Sequence, residues 1–351
     1  MRKSAALVVP GSLDTRTGGY LYDRHITDGL RARGWAVDVR ELDASFPRPT
    51  PSALEHASCE FAAIPPGTIT LVDSLALGAM PEVIVSHASR LRIAALVHLP
   101  LSADLGLDED AAVHVESSER RALEAVALVI VTGRAALPLL DRYGLPPQRV
   151  AIVEPGTARA PLARGSAGSP LQLLSVATLN PGKGHEGLLT ALADVPHRDW
   201  HVTCAGSLTR HPPTVERVRT MIRRLELSDC VSLVGELDAR ALEEAYDGSD
   251  LFVLATLRET YGMAVAEALA HGLPVVSTTT GAIPQLVGDH AGLLVEPGDR
   301  RALTEALARA LSDDGLRAEL AEGARRMRER LPDWDHAAER MAVTLESIGH
   351  G

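Results

Sequence analysis

The sequence predicts an α/β protein built from two Rossmann-like, doubly wound domains followed by a helical tail. Short β-rich runs alternate with Ala- and Leu-rich helical segments along the chain, the pattern of parallel sheets covered by helices on both faces. At 351 residues the chain exceeds the usual span of one hydrophobic core. The stretch Pro155 to Pro170, PGTARAPLARGSAGSP, is small, polar and rich in Gly, Pro and Ser, which marks it as a linker. An amino-terminal domain is therefore expected at residues 1–165 and a second at 166–330. A carboxy-terminal helix at 331–351 is expected to pack back toward the first domain.

In the first domain Ala5 to Val9 reads as a buried strand, Tyr20 to Arg33 as an amphipathic helix stopped by Gly34, and Ala36 to Leu42 as a second strand. Further strands are expected at Thr68 to Val72, Ile93 to His98, Leu128 to Val131 and Val150 to Val153, with a helical piece at Glu116 to Ala127. The Pro-rich segment Phe46 to Pro66 reads as irregular. The second domain restarts the alternation with strands at Leu171 to Ala177, Trp200 to Cys204, Val231 to Leu233, Leu251 to Leu254 and Pro274 to Ser277. From Arg300 onward the pattern is helical, and Pro332 precedes a last amphipathic segment containing Trp334 and Met341.

Aromatic residues make up only 3% of the chain, so the cores must be built from Ala, Val and Leu. A net charge of -11 opposes attraction to phosphate backbones, and nucleic acid is not an expected partner. Cys59, Cys204 and Cys230 show neither metal-site spacing nor a disulfide framework, which fits a reducing cytoplasm. The opening MRKSAALVVPG has too short an apolar run for a signal-peptide core. The long stretch without Asp, Glu, Lys or Arg from Ala268 to Gly288 is punctuated by Gly272, Pro274, Gly281 and Pro284, so no membrane span is expected there, while peripheral membrane contact stays open.

The strand Leu251 to Leu254 leads through the loop Ala255 to Tyr261 into a helix, Gly262 to His271. Ligands of open α/β sheets bind at this carboxyl edge of the strands. The main-chain N–H groups of Tyr261, Gly262, Met263 and Ala264 would lie at the helix N-terminus, where dipole and donors together favour an anion such as a diphosphate. Glu259 and Glu267 flank this terminus, and Glu267 sits in the apolar run MAVAEALA, where a carboxylate needs a partner. Taken alone, Glu259 as a helix cap and Glu267 in a buried pair with an Arg or Lys would account for the two about as well as a ligand would.

The segment LFVLATLRETYGMAVAEALAHGLPVV closely resembles the E-x7-E segment of family-4 retaining glycosyltransferases of the GT-B fold. That resemblance implies two Rossmann-like domains facing an interdomain cleft, with a UDP- or GDP-type nucleotide diphosphate sugar as donor and a hydroxyl of a small molecule or glycan as acceptor. It implies that Glu259 holds hydroxyls of the donor sugar and Glu267 the donor ribose, and each carboxylate can accept two such bonds. VATLNPGKG, Val176 to Gly184, resembles the strand-end motif that supplies a Lys to the donor diphosphate. Lys183 is the matching residue, and a cation beside the leaving group stabilises charge that grows as the glycosidic bond breaks. Thr178, placed among the donor-binding residues, stands where the family usually has an Arg. Thr278 to Asp299 follows the family pattern after the helix, and Gly206 together with Val234 to Leu237 would line the nucleotide pocket.

In the first domain Gly18 and Gly19 stand at the entrance to the first helix, where glycines permit close approach of a phosphate or sugar but also suit an ordinary turn. The family has a Gly-rich loop at this point that faces the donor. His98 ends the run IAALVH at a strand tip. By resemblance it would contact the transferred sugar, although a lone His is commonly structural.

The resulting expectation is a retaining glycosyltransferase of hexosyltransferase type, with no metal or other cofactor required. The alternatives are a nucleotide-sugar epimerase on the same scaffold and a non-catalytic nucleotide-sugar binder. A nicotinamide oxidoreductase would need a compact GxGxxG after the first strand, which Gly11 to Gly19 does not supply.

Overall fold

The computed structural model describes residues 3–103, 105–166 and 168–349. They form two compact units, Met1–Gly156 with Asp333–Gly351, and Thr157–Pro332.

The first unit holds a parallel sheet of β1 (Ser4–Pro10), β2 (Ala36–Leu42), β3 (Ile69–Asp73), β4 (Arg92–Val97), β5 (Leu128–Val131) and β6 (Val150–Ile152), in the order β2-β1-β3-β4-β5-β6. Its connections carry helices α1 (Gly18–Ala32), α2 (Pro51–Ala63), α3 (Ser74–Leu77), α4 (Pro81–His87), α5 (Glu109–Ala125) and α6 (Leu137–Leu140). Strand β3 is buried at every residue, as ITLVD allows in a sheet covered on both faces. The core packs Val8, Val72, Ala95 and Val129 against Phe61, Ile84 and Leu123.

Helix α2 corrects the reading of Phe46 to Pro66 as irregular. Prolines bracket this stretch, but Pro51 falls in the first turn, where its missing N–H costs nothing, and the Thr50 side chain caps the helix by accepting from Ala53 N. Ala53, Ala57 and Phe61 then turn inward on one face.

The second unit repeats the plan with β7 (Leu171–Val176), β8 (Trp200–Ala205), β9 (Val231–Gly235), β10 (Leu251–Leu254), β11 (Val275–Thr278) and β12 (Gly292–Val295), in the order β12-β11-β10-β7-β8-β9 and all parallel. Its helices are α7 (His185–Ala193), α8 (Pro212–Arg224), α9 (Ala239–Asp247), α10 (Met263–Ala270), α11 (Ile283–Val287), α12 (Arg300–Ser312) and α13 (Asp314–Arg328). Edge strand β12 is an addition to the expected set; its four residues, GLLV, are each half-buried and too few to show alternation.

The last helix, α14 (Trp334–Ser347), packs within the first unit against α1. Trp334 stacks on His25 at 4.2 Å and meets Tyr22 edge-on at 5.9 Å. Gly29 lies so close to Ala338 that a Cβ there would fall 2.3 Å from the Ala338 methyl. No helix among the described residues is long and apolar enough to cross a membrane.

In each sheet the connections leave one pair of adjacent strands in opposite directions, β1 and β3 in the first unit and β7 and β10 in the second. A crevice at the carboxyl ends of such a pair is the standard ligand position of open α/β sheets.

Candidate functional site

In the second unit, the loops after β7 and β10 meet at this reversal. After β7, Asn180 Oδ1 accepts from Lys183 N at 3.2 Å and closes a tight turn over Pro181–Lys183. After β10, Thr256 Oγ1 and Leu257 N both donate to Gly182 O, at 3.1 and 2.8 Å, which joins the two loops. Thr278 Oγ1 donates in turn to Thr256 O at 2.6 Å, and Glu259 N donates to Thr280 Oγ1 at 3.3 Å. Three strand ends are thereby fixed relative to one another by main-chain carbonyls and threonine hydroxyls.

On this frame the Lys183 ammonium lies 2.6 Å from Glu259 Oε2, and both side chains are mostly but not wholly withdrawn from solvent. The two residues expected to do chemistry are therefore one another's partners. Gly262 caps α10 with φ of 102°, a left-handed conformation that glycine adopts without strain, and the helix begins at Met263. Tyr261 is buried, while Met263 and Ala264 are half-buried in the first turn.

Glu267, one turn further along α10, accepts a hydrogen bond from the Tyr246 hydroxyl at 2.9 Å. Burial raises its carboxyl to about 7, with the Tyr246 bond pulling the other way. Its partner is a phenol on α9 and not the Arg or Lys of a buried ion pair. Tyr246 is itself held by a stacked His271 at 4.7 Å.

The other expected donor residues sit on neighbouring strand ends. Thr178 is half-buried just past β7, and Gly206 follows β8, where a Cβ would come 2.0 Å from Ala177 O, so only glycine fits. Val234 is exposed in β9 and Leu237 half-buried after it.

In the first unit Gly18 and Gly19 open α1. His98 lies just beyond β4, with Nε2 at 3.0 Å from Asp23 Oδ1 and 3.7 Å from Asp73 Oδ2. Gly19 faces the ring so closely that a Cβ there would stand 3.2 Å from His98 Cδ2. The loop after His98 is anchored by buried Glu119, whose carboxylate accepts from Leu101 N at 2.8 Å, Ser102 N at 3.3 Å and the Tyr143 hydroxyl.

Asp23, Asp73, Glu119 and Tyr246 escaped the sequence reading. Each belongs to a different element from the group it serves, so no local spacing announces it. The available signal was a polar residue in an apolar setting, such as Asp73 closing ITLVD.

The fold and these edges define a class: the chain has the two-domain GT-B fold. It superposes on sucrose-phosphate synthase from Thermosynechococcus elongatus with a TM-score of 0.83 and 21% identity over 99% of both chains. Against Anabaena HepE, solved in complex with UDP and glucose, the TM-score is 0.78 with 17% identity over 98% of this chain and 100% of that one.

At the sequence level, residues 162–327 match the family model described as Glycosyl transferases group 1. The D-inositol 3-phosphate glycosyltransferase of Xylanimonas cellulosilytica is 31% identical over 233 residues, covering 61% of this chain and 55% of the relative. The chain thus spans about half the length of such curated relatives.

Proposed function

We propose that the protein is a retaining glycosyltransferase of family 4, transferring a hexosyl group from a UDP- or GDP-type nucleotide sugar to an acceptor hydroxyl. The observation that carries this reading is the Lys183–Glu259 pair at 2.6 Å, set at the β7/β10 reversal beside the first turn of α10, inside the segment that matches the group 1 family. The similarity to a glycosyltransferase and the UDP and glucose held by a protein of the same fold support the choice of donor.

In this reading the donor diphosphate is held by the main-chain N–H groups of the first turn of α10 and by Lys183. Glu259 releases Lys183 to the diphosphate and turns to sugar hydroxyls, while Glu267 and Tyr246 hold the ribose. The bond from the anomeric carbon to the diphosphate oxygen breaks, and its electron pair stays with that oxygen beside Lys183. The acceptor oxygen bonds to the same face of the anomeric carbon, and its proton passes to the departing phosphate oxygen. Positive charge for the leaving group comes from Lys183 and the helix terminus, so the reading requires no metal or other cofactor. His98 is assigned a contact with the transferred sugar, and Gly18 and Gly19 permit its approach. Free thiols at Cys59, Cys204 and Cys230 suit a cytoplasmic location.

The test is incubation with a panel of UDP- and GDP-sugars and hydroxyl acceptors, with the product's anomeric configuration read by NMR. Transfer with retained configuration is expected. Interconversion of the donor sugar without any acceptor would make the protein an epimerase, and donor binding without transfer would make it a binder.

A further inference from the structure

Asp23, Asp73 and His98 come from α1, the end of β3 and the residue after β4, and they meet at the β1/β3 reversal of the first unit. Both carboxyls are buried, at 0% and 1% exposure, while His98 keeps 20% of its side chain accessible. Both also approach the same ring nitrogen, Nε2, so Nδ1 is the nitrogen not held by them. The ring is further fixed by Tyr22, edge-on at 5.3 Å with its hydroxyl donated to Val153 O, and by the bare backbone of Gly19.

Asp23 Oδ2 is buried with no hydrogen-bond partner among the described residues. An unsatisfied carboxylate oxygen in such a place is costly. A proton on the neighbouring carboxyl resolves it, since two carboxyls can bond only when one of them is protonated. Asp73 is the group suited to carry it: burial first, then the charge of the nearby Asp23, push it up to about 7, against the opposing pull of His98 and of Leu75 N. For His98, burial lowers the basicity of the ring, but the charge of Asp23 and its hydrogen bond, with Asp73 the smallest contributor, outweigh it.

We propose that Asp23 and Asp73 are a proton-sharing pair of positioning residues that hold His98 by Nε2 as a fixed cation, so that Nδ1–H donates to an oxygen of the ligand this unit binds. A cationic donor in a dry setting favours an oxygen that bears charge or electron density, such as a carboxylate, a phosphate or the ring and hydroxyl oxygens of a sugar. The nature of that ligand rests on the transferase reading; the protonation of the cluster does not.

The test is NMR titration of imidazole signals in the full chain without donor, with His98 assigned by difference from a His98→Gln variant. The wild-type midpoint is expected above the ordinary value of about 6.5. Asp73→Asn should keep it there, because Asp23 remains 3.0 Å from Nε2. Asp23→Asn/Asp73→Asn should drop it by about one pH unit or more, to below the ordinary value, as burial then acts alone. A wild-type midpoint at or below about 6.5, a fall below it in Asp73→Asn, or no change in the double variant would overturn the proposal. The first two readings decide the matter if the double variant does not fold. The three ligand atoms also lie within 4.8 Å of one another, close enough for a divalent cation. Thermal stabilisation by Zn2+ or Mn2+ that vanishes in Asp73→Asn would show a metal site instead and equally overturn the proposal.

Discussion

Lys183 and Glu259 neutralise each other, and that pairing shapes what each substitution should do. Lys183→Ala removes the cation proposed for the leaving group. Turnover should fall by about a hundredfold or more, the usual effect of deleting one stabilising donor. Because Glu259 is mostly withdrawn from solvent and loses its cation, the melting temperature should fall as well, so turnover is compared at a temperature where circular dichroism shows both proteins folded. Near-normal turnover would remove Lys183 from the chemistry. Glu267 gives a prediction in pH. Its carboxyl is raised from 4.5 to about 7 by burial, so it costs the fold nothing below the lower value, an increasing amount between the two, and a constant amount above the higher. Glu267→Gln, neutral throughout, should therefore gain thermal stability relative to wild type between about pH 5 and about pH 8. Equal differences at both ends would show that the carboxyl titrates normally. At this scale the motif residues Glu259, Lys183 and Glu267 were legible because each sits in a local pattern with its loop or helix. Asp23, Asp73 and Tyr246 were not, because long-range folding alone brings them to their partners.

The elements carry a second set of consequences. Most strands were legible as short apolar runs, but α2 was hidden by its flanking prolines and β12 by its brevity; what decided them was a Thr50 cap in one case and pairing with β11 in the other. The contact between α1 and α14 leaves no room at Gly29. Gly29→Ala should destabilise the first unit by about 1–3 kcal/mol, the usual cost of overpacking, and Ala338→Gly in the same chain should recover part of the loss. Additive losses in chemical denaturation would show that the two helices do not meet as described.

Across the whole molecule, the two units share one design: a six-stranded parallel sheet whose connections diverge beside the loops that carry polar side chains. The alternating pattern made that design legible from sequence. The family match covers residues 162–327 alone, and the amino-terminal unit, whose Asp23–Asp73–His98 cluster has no local motif, is where the sequence says least. The central claim is that the second unit takes a nucleoside diphosphate through Lys183 and the first turn of α10. Calorimetric titration of the wild-type chain and Lys183→Ala with UDP and with GDP tests it directly. Saturable binding of one nucleotide, weakened about tenfold or more by the substitution, is the predicted result; no binding of either, or equal affinity in both proteins, would contradict it.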